Sequence, residues 1–385
     1  MRRWLLLLSL TAMLAGCASA PPKPPAPEGL FRDELFAAPS ERISVDDVFA
    51  LSDAMRHYLN VDIAAQLRTE GLQQGLIDAL RNRGQLRIDY DSTMTRNAAQ
   101  AFEARSGNCL SLLIMTAAFA KELGLPVTYQ SVIIDETWSR SGDIYFASGH
   151  VNLMLGKRIT DLRAGYDSSR LLTIDFLAAE DILGQRTKVI DEATVVAMYF
   201  NNRAAENLAR DRLDDAYAWA RAGIRHNPGF VSAYNTLGVI YQRHGNSPEA
   251  EVVLRYALER EPRNTQVIAN LAQLLGNLGR TEEAQQMQRR LAQLEQDPPF
   301  YFFKLGMAAM REGNYKAARD LFALEVERAP DYHEFHFWLG VASYRLGDIA
   351  AARKHLALAL DDSTTVSDRD LYAAKLAWLK SHQKP

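Results

Sequence analysis

The spacing of apolar and polar positions changes several times along this chain, and each change marks an element. Behind Arg2 and Arg3, Trp4 to Gly16 is a hydrophobic run of thirteen residues, too short to cross a bilayer but long enough for a signal-peptide core. Ala18 to Pro27 then carries prolines at 21, 22, 24, 25 and 27, which makes it an extended spacer. From Ser44 to Tyr58, Val48, Leu51, Met55 and Tyr58 recur at helical steps, and Ile63, Leu67, Leu72, Leu76 and Leu80 do so over 62–81. This spacing predicts two amphipathic helices, the second weakened by Gly71 and Gly75. A short strand over 86–90 and a short helix over 95–105 follow. Residues 110–123 are apolar on every side, the mark of a buried helix, and stop at Gly124 with Pro126 just beyond. Alternation then predicts strands over 127–134, 144–155 and 171–176, with a polar loop over 135–143. Ser148, His150 and Asn152 share one face of the second strand, and Thr173 and Asp175 share one face of the third.

Beyond Val195 the period lengthens. Ala216, Ala250, Ala284, Ala318 and Ala352 are spaced by 34, and Gly245, Gly279, Gly313 and Gly347 keep the same step. Pro228, Pro262 and Pro330 fall on that grid, with Gln296 and Thr364 in the two remaining places. In the unit holding Tyr234, Leu237, Gly238, Tyr241, Ala250, Leu254, Ala257 and Pro262, the order of small and large residues resembles tetratricopeptide (TPR) repeats. Five units fit over 195–364, the first atypical at Arg203 and Asn207, and 365–385 reads as a closing helix. The resemblance implies an all-α solenoid whose concave groove holds a peptide or a partner protein.

Composition narrows the function. With 48% hydrophobic and 24% charged residues the chain is globular, and 44 lysines and arginines against 47 acidic residues give a net charge of -3. That offers no broad basic face to nucleic acid, which is not expected as a partner. His333 and His336 lie near Asp331 and Glu334, but their positions coincide with repeat-packing sites, and no acidic loop has EF-hand spacing. Neither a metal nor any other cofactor is expected. The two cysteines are Cys17 and Cys109.

Leu14-Ala15-Gly16-Cys17 resembles the lipobox of bacterial lipoproteins. The resemblance implies removal of 1–16 as a signal peptide, acylation of Cys17 at the head of a 17–29 linker, and a membrane anchor through that lipid. Ala18, where a retained lipoprotein would have aspartate, implies the outer membrane, facing the periplasm.

If Cys17 carries lipid, Cys109 is left as a lone thiol at the first turn of the buried helix, where unpaired backbone N–H groups and the helix dipole favour a thiolate. A nucleophilic thiol needs a base, and the base needs an orienting group. Only His57 and His150 precede the repeats, and His57 sits late in an amphipathic helix, in a surface setting. The order of "SGNCLSL", "SGHVNL" and "LLTIDF" resembles the transglutaminase-like superfamily, akin in architecture to papain-like cysteine proteases. By that resemblance Cys109 is the nucleophile, His150 the base and then the acid, and Asp175 the residue that holds the imidazole. Asp161 is the rival for the third role. The Cys109 N–H is one oxyanion donor, and the second is unassigned. Val151 stands where tryptophan is common in that superfamily, and Phe176 where proline is frequent.

The expected fold is therefore α+β over 30–190, a transglutaminase/papain-like domain with N-terminal helices, followed by the all-α TPR solenoid. The expected activity is thiol-dependent hydrolysis of a peptide-like amide, with acyl transfer as the other outcome, and the loop Trp138-Ser139-Arg140-Ser141-Gly142 is a candidate edge of the cleft. The competing expectation is a scaffold whose N-terminal domain only binds. A third is an inhibitor or chaperone of another secreted protein.

Overall fold

A computed structural model describes residues 26–81, 88–92, 94–141, 144–158, 171–176, 185–294 and 300–381. The signal-like run, Cys17 and Asp161 lie outside the described residues, as do Gly142 and the side chains of 138–141 and Ser148.

The first helical region is more broken than its periodicity suggests. Instead of one helix over 44–58, α1 runs Asp53–His57, because Ser52 caps it by accepting from the Met55 N–H at 3.3 Å. A π-type turn, Tyr58–Asp62, follows. The helix expected over 62–81 is two, α2 (Ala64–Glu70) and α3 (Leu72–Arg81), divided at Gly71, whose φ of 85° no helix accommodates. Of the strand expected over 86–90, residues 86 and 87 lie outside the described residues, and β1 is Asp89–Tyr90, paired in parallel with β2 (Ser106–Gly107). Between them α4 (Ala98–Ala104) starts with an Asn97/Gln100 capping box. Then comes α5 (Cys109–Glu122), with every residue from Leu110 to Ala120 buried.

A four-stranded antiparallel sheet, in the order β5-β4-β3-β6, covers α5. Its centre is a long hairpin of β3 (Val127–Ser141) and β4 (Ile144–Leu155). The polar loop expected over 135–143 is thus mostly strand. Ladder pairing runs out to Ser141–Ile144, past an irregularity between Val132 and Thr137, and Thr137, Trp138, Tyr145 and Phe146 are residue types that favour strands. Trp138 to Ser141 therefore belong to the hairpin arm, not to a connecting loop. β5 is only Leu172–Ile174, which leaves Asp175 just past its end. β6 (Arg186–Ile190) is an unforeseen edge strand beside β3.

The rest is a stack of helix pairs: α6 (Glu192–Ala209) with α7 (Leu213–His226), α8 (Val231–His244) with α9 (Ser247–Arg260), α10 (Thr265–Asn277) with α11 (Thr281–Leu294), α12 (Tyr301–Arg311) with α13 (Tyr315–Arg328), and α14 (His333–Arg345) with α15 (Ile349–Asp361), closed by α16 (Val366–Ser381). Gly245, Gly279, Gly313 and Gly347 end the first helix of their units at φ between 74° and 90°, which explains their strict spacing. Where Arg203 and Asn207 replace the usual apolar residues, both are buried, and the Arg203 guanidinium is held by Glu41 at 2.9 Å and Glu206 at 3.1 Å. One continuous core runs from Phe31 through α5 and the sheet to Ala284; separate clusters fill the units from Phe300 to Ala342 and from Ala352 to Leu379.

Two further contacts join the halves. Residues 28–41 lie along α7: Phe36 stacks on Tyr217 with ring centroids 4.0 Å apart, Ser40 donates to Asp215, Asp33 pairs with Arg221, and Glu28 pairs with Arg225. At the other end of the stack, the Ser92 hydroxyl donates to Thr364 Oγ1 at 3.0 Å.

Candidate functional site

The site grows from the start of α5. Asn108 is extended (φ -76°, ψ 174°) and caps the helix, its side-chain oxygen accepting from the Ser111 N–H at 2.9 Å and the Ser111 hydroxyl at 2.8 Å. This fixes Cys109 as the first helical residue, half-buried and without a disulfide. Gly107 admits the tight entry, since a Cβ there would lie 2.6 Å from the Ser111 Cβ. Asn108 also donates to Thr95 Oγ1 at 2.8 Å, and the Thr95 N–H donates to Glu206 on α6 at 2.6 Å. The turn that presents the thiol is thereby tied to the first helix of the solenoid.

His150 projects from β4 toward that turn, its side chain only 3% exposed. Its Nε2 lies 2.7 Å from Asp175 Oδ1, and the Asn152 side-chain amide donates to Asp175 Oδ2 at 2.9 Å. Both carboxylate oxygens are thus engaged, which fixes the carboxylate plane against the imidazole. Burial pushes the His150 pKa down, but the hydrogen bonds and charges of Asp175 and Cys109 outweigh it and hold it at about 9. Thiol, imidazole and carboxylate therefore form one connected chain, in which an imidazolium is held between two potential anions.

Of the residues singled out in the sequence, the structure brings Cys109, His150 and Asp175 together. His57 is exposed and sits 3.7 Å from Asp62. His333 contacts the Tyr372 hydroxyl at 2.8 Å, while His336 meets His355 at 3.0 Å. Among the described residues no three histidine, cysteine or acidic side chains cluster to hold a metal ion. Two contributors went unassigned in the sequence. Asn152 was placed on the His150 face but given no role, and Tyr90 carried no motif at all. Tyr90 pairs with Gly107 across the β1–β2 ladder and reaches the Cys109 backbone. A cavity of about 230 Å³ opens beside them, lined by Leu80, Tyr90, Leu112, Ile174, Asp175 and Phe176 among others.

Comparison with known proteins identifies part of the helical stack. Tetratricopeptide repeat models match residues 242–301 and 303–365, so this part of the chain consists of TPR repeats. Similar solved structures include pilF of Pseudomonas aeruginosa (19% identity, TM-score 0.31, covering 50% of this chain and 87% of that one). They also include YrrB, a TPR protein with an unusual peptide-binding site (23% identity, TM-score 0.25, 47% and 92%), and yeast Tom70 (16% identity, TM-score 0.36, 49% and 40%). No curated protein matches the sequence. Repeats of this kind stack into a solenoid with a concave face that suits a protein partner.

Proposed function

We propose that the solenoid holds a polypeptide partner and that the N-terminal domain cleaves or transfers an acyl group of that partner through Cys109. The supporting observation is the connected set of Cys109, His150 and Asp175, with Asp175 held in place by Asn152. On this reading the Cys109 sulfur attacks an amide carbonyl, forming a C–S bond as the carbonyl π pair moves to oxygen. Collapse of that adduct breaks the C–N bond, and the His150 proton passes to the departing amine. Water, or a second amine, then attacks the thioester while His150 takes up its proton, and the thiolate leaves. The apolar cavity suits an acyl group with a bulky apolar side chain. Lipid on Cys17 would hold the protein at the outer membrane, facing the periplasm, and neither a cofactor nor nucleic acid has a part in the reaction.

The second reading is a binding scaffold with an idle thiol, and what favours it is that the family matches fall on the repeats. Thiol reactivity separates the two. In Cys17→Ser protein, Cys109 is the sole cysteine, so iodoacetamide uptake from about pH 4 to 10 reports on one residue. Fast alkylation at neutral pH that drops about tenfold in His150→Ala supports the thiol reading. A slow rate indifferent to His150 overturns it and leaves the scaffold.

A further inference from the structure

We propose that Glu206, on the first helix of the solenoid, is a positioning residue for the thiol: its carboxylate orders a chain of hydrogen bonds that runs through Thr95 and Asn108 to the first turn of α5. The proposal rests on the thiol chemistry above. A backbone N–H can only donate, so the Ser111 N–H, 2.9 Å from the Asn108 side-chain oxygen, turns the Asn108 amide nitrogen away from the helix. That nitrogen donates to Thr95 Oγ1 at 2.8 Å. The same oxygen accepts from the Asn202 amide on α6 at 3.2 Å, which occupies its second lone pair. The Thr95 hydroxyl hydrogen is left to donate, and the acceptor beside it is Glu206, which already takes the Thr95 N–H at 2.6 Å. Burial raises the Glu206 pKa, and both the N–H and the hydroxyl of Thr95 oppose that rise, as bonds to a carboxylate do. Thr95 is 1% exposed, which keeps solvent from its hydroxyl. Every link in the chain therefore has one direction, and a charge stands at its head.

The first repeat is built to supply that charge. Arg203 and Asn207 stand where the repeat pattern would place apolar residues, and a buried guanidinium is costly to desolvate. Arg203 holds Glu206 at 3.1 Å on one side and Glu41 at 2.9 Å on the other, while the Asn207 amide donates to the Arg203 carbonyl at 2.8 Å. These departures from the pattern thus serve the carboxylate that meets Thr95. The next residue, Arg96, adds a second tie to the same turn, its N–H donating to Ser111 Oγ at 2.8 Å. Without the charge on Glu206 the Thr95 hydroxyl is free to turn, and Asn108 loses its fixed acceptor. The cap that sets Cys109 at the positive end of α5 then loosens, and a thiolate there is less favoured.

In Cys17→Ser protein, the pH midpoint of iodoacetamide uptake reads the Cys109 thiolate. Glu206→Gln should raise that midpoint by about one pH unit, and Thr95→Val should do the same, whereas Thr95→Ser, which keeps the hydroxyl, should return the parent value. Glu41→Gln takes the other carboxylate from Arg203 without touching the chain, so it should lower Tm as Glu206→Gln does yet leave the midpoint in place. Equal midpoints in Glu206→Gln and the parent overturn the proposal. So does a rise of the same size in Glu41→Gln, which would reduce Glu206 to a partner of Arg203. Should Glu206→Gln fail to fold, Thr95→Val against Thr95→Ser decides on the same readout, and a midpoint that neither moves overturns the chain. Failure of the thiol chemistry shows up separately, as alkylation that ignores His150→Ala.

Discussion

The charge held on His150 can be weighed through pH. Its folded pKa of about 9 lies above the ordinary 6.5, a difference of roughly 3 kcal/mol at 1.36 kcal/mol per unit. The side chain is 3% exposed, so solvent screens little of this. Because the folded protein holds this proton more tightly, the stabilisation is complete below pH 6.5 and is lost as pH rises toward 9. Asp175→Asn removes the carboxylate 2.7 Å from Nε2 and keeps its shape. Only Cys109 then opposes burial, and the His150 pKa falls from about 9. Urea unfolding at pH 6 and at pH 10 measures both proteins. The parent should exceed the variant by several kcal/mol at pH 6, as expected when one partner of a buried pair is removed. That gap should narrow by up to roughly 3 kcal/mol at pH 10, where His150 is neutral in both. A gap of the same size at both pH values would show that Asp175 does not hold a charged imidazole, and the reasoning about the site would fail.

Close packing in the repeats sets up a paired test. A Cβ on Gly238 would lie 2.7 Å from Leu254, whereas on Gly276 the nearest atom is 4.0 Å away. Gly238→Ala should therefore cost about 1–3 kcal/mol in urea unfolding, while Gly276→Ala should be neutral or stabilise by up to about 1 kcal/mol. At the far end, burial and the adjacent His336 lower the His355 pKa to about 4, with Lys354 adding to the effect and Asp348 opposing it. The unfolded chain takes up this proton near pH 6.5 and the folded chain near 4, so Tm should fall with acidification across that window, and less so in His355→Gln.

The readable parts of this sequence are those where one physical pattern dominates. Residues 110–123 are apolar in every direction, and a helix with no polar face can only be central, which α5 is. The glycines spaced by 34 are readable because each ends a helix at positive φ, where other residues strain. Residues 135–141 of β3 are not readable as strand, since Asp135, Glu136, Ser139, Arg140 and Ser141 leave that stretch without hydrophobic alternation. β6 is hidden for the same reason, because four of its five residues are exposed. In the site, the order cysteine, histidine, aspartate marked the three residues, but Tyr90 lies nineteen residues before Cys109 and is placed by a two-residue ladder that no local periodicity records.

The strip of chain from Glu28 to Glu41 has a consequence for how the protein is made. Its partners lie far along the sequence, with Ser40 bonding Asp215 across 175 residues and the Leu30 carbonyl accepting from Tyr241 across 211. These residues are made long before their partners and cannot be seated until the first two helix pairs exist. Closing such long loops is entropically costly and slow, which makes the seating of this strip a late step in folding. Until then Phe31 and Phe36, which end up against the core of the first repeats, stay exposed. A nascent chain with two uncovered phenylalanines is a natural client for a holding chaperone, and truncation before Tyr241 should leave that client state permanent.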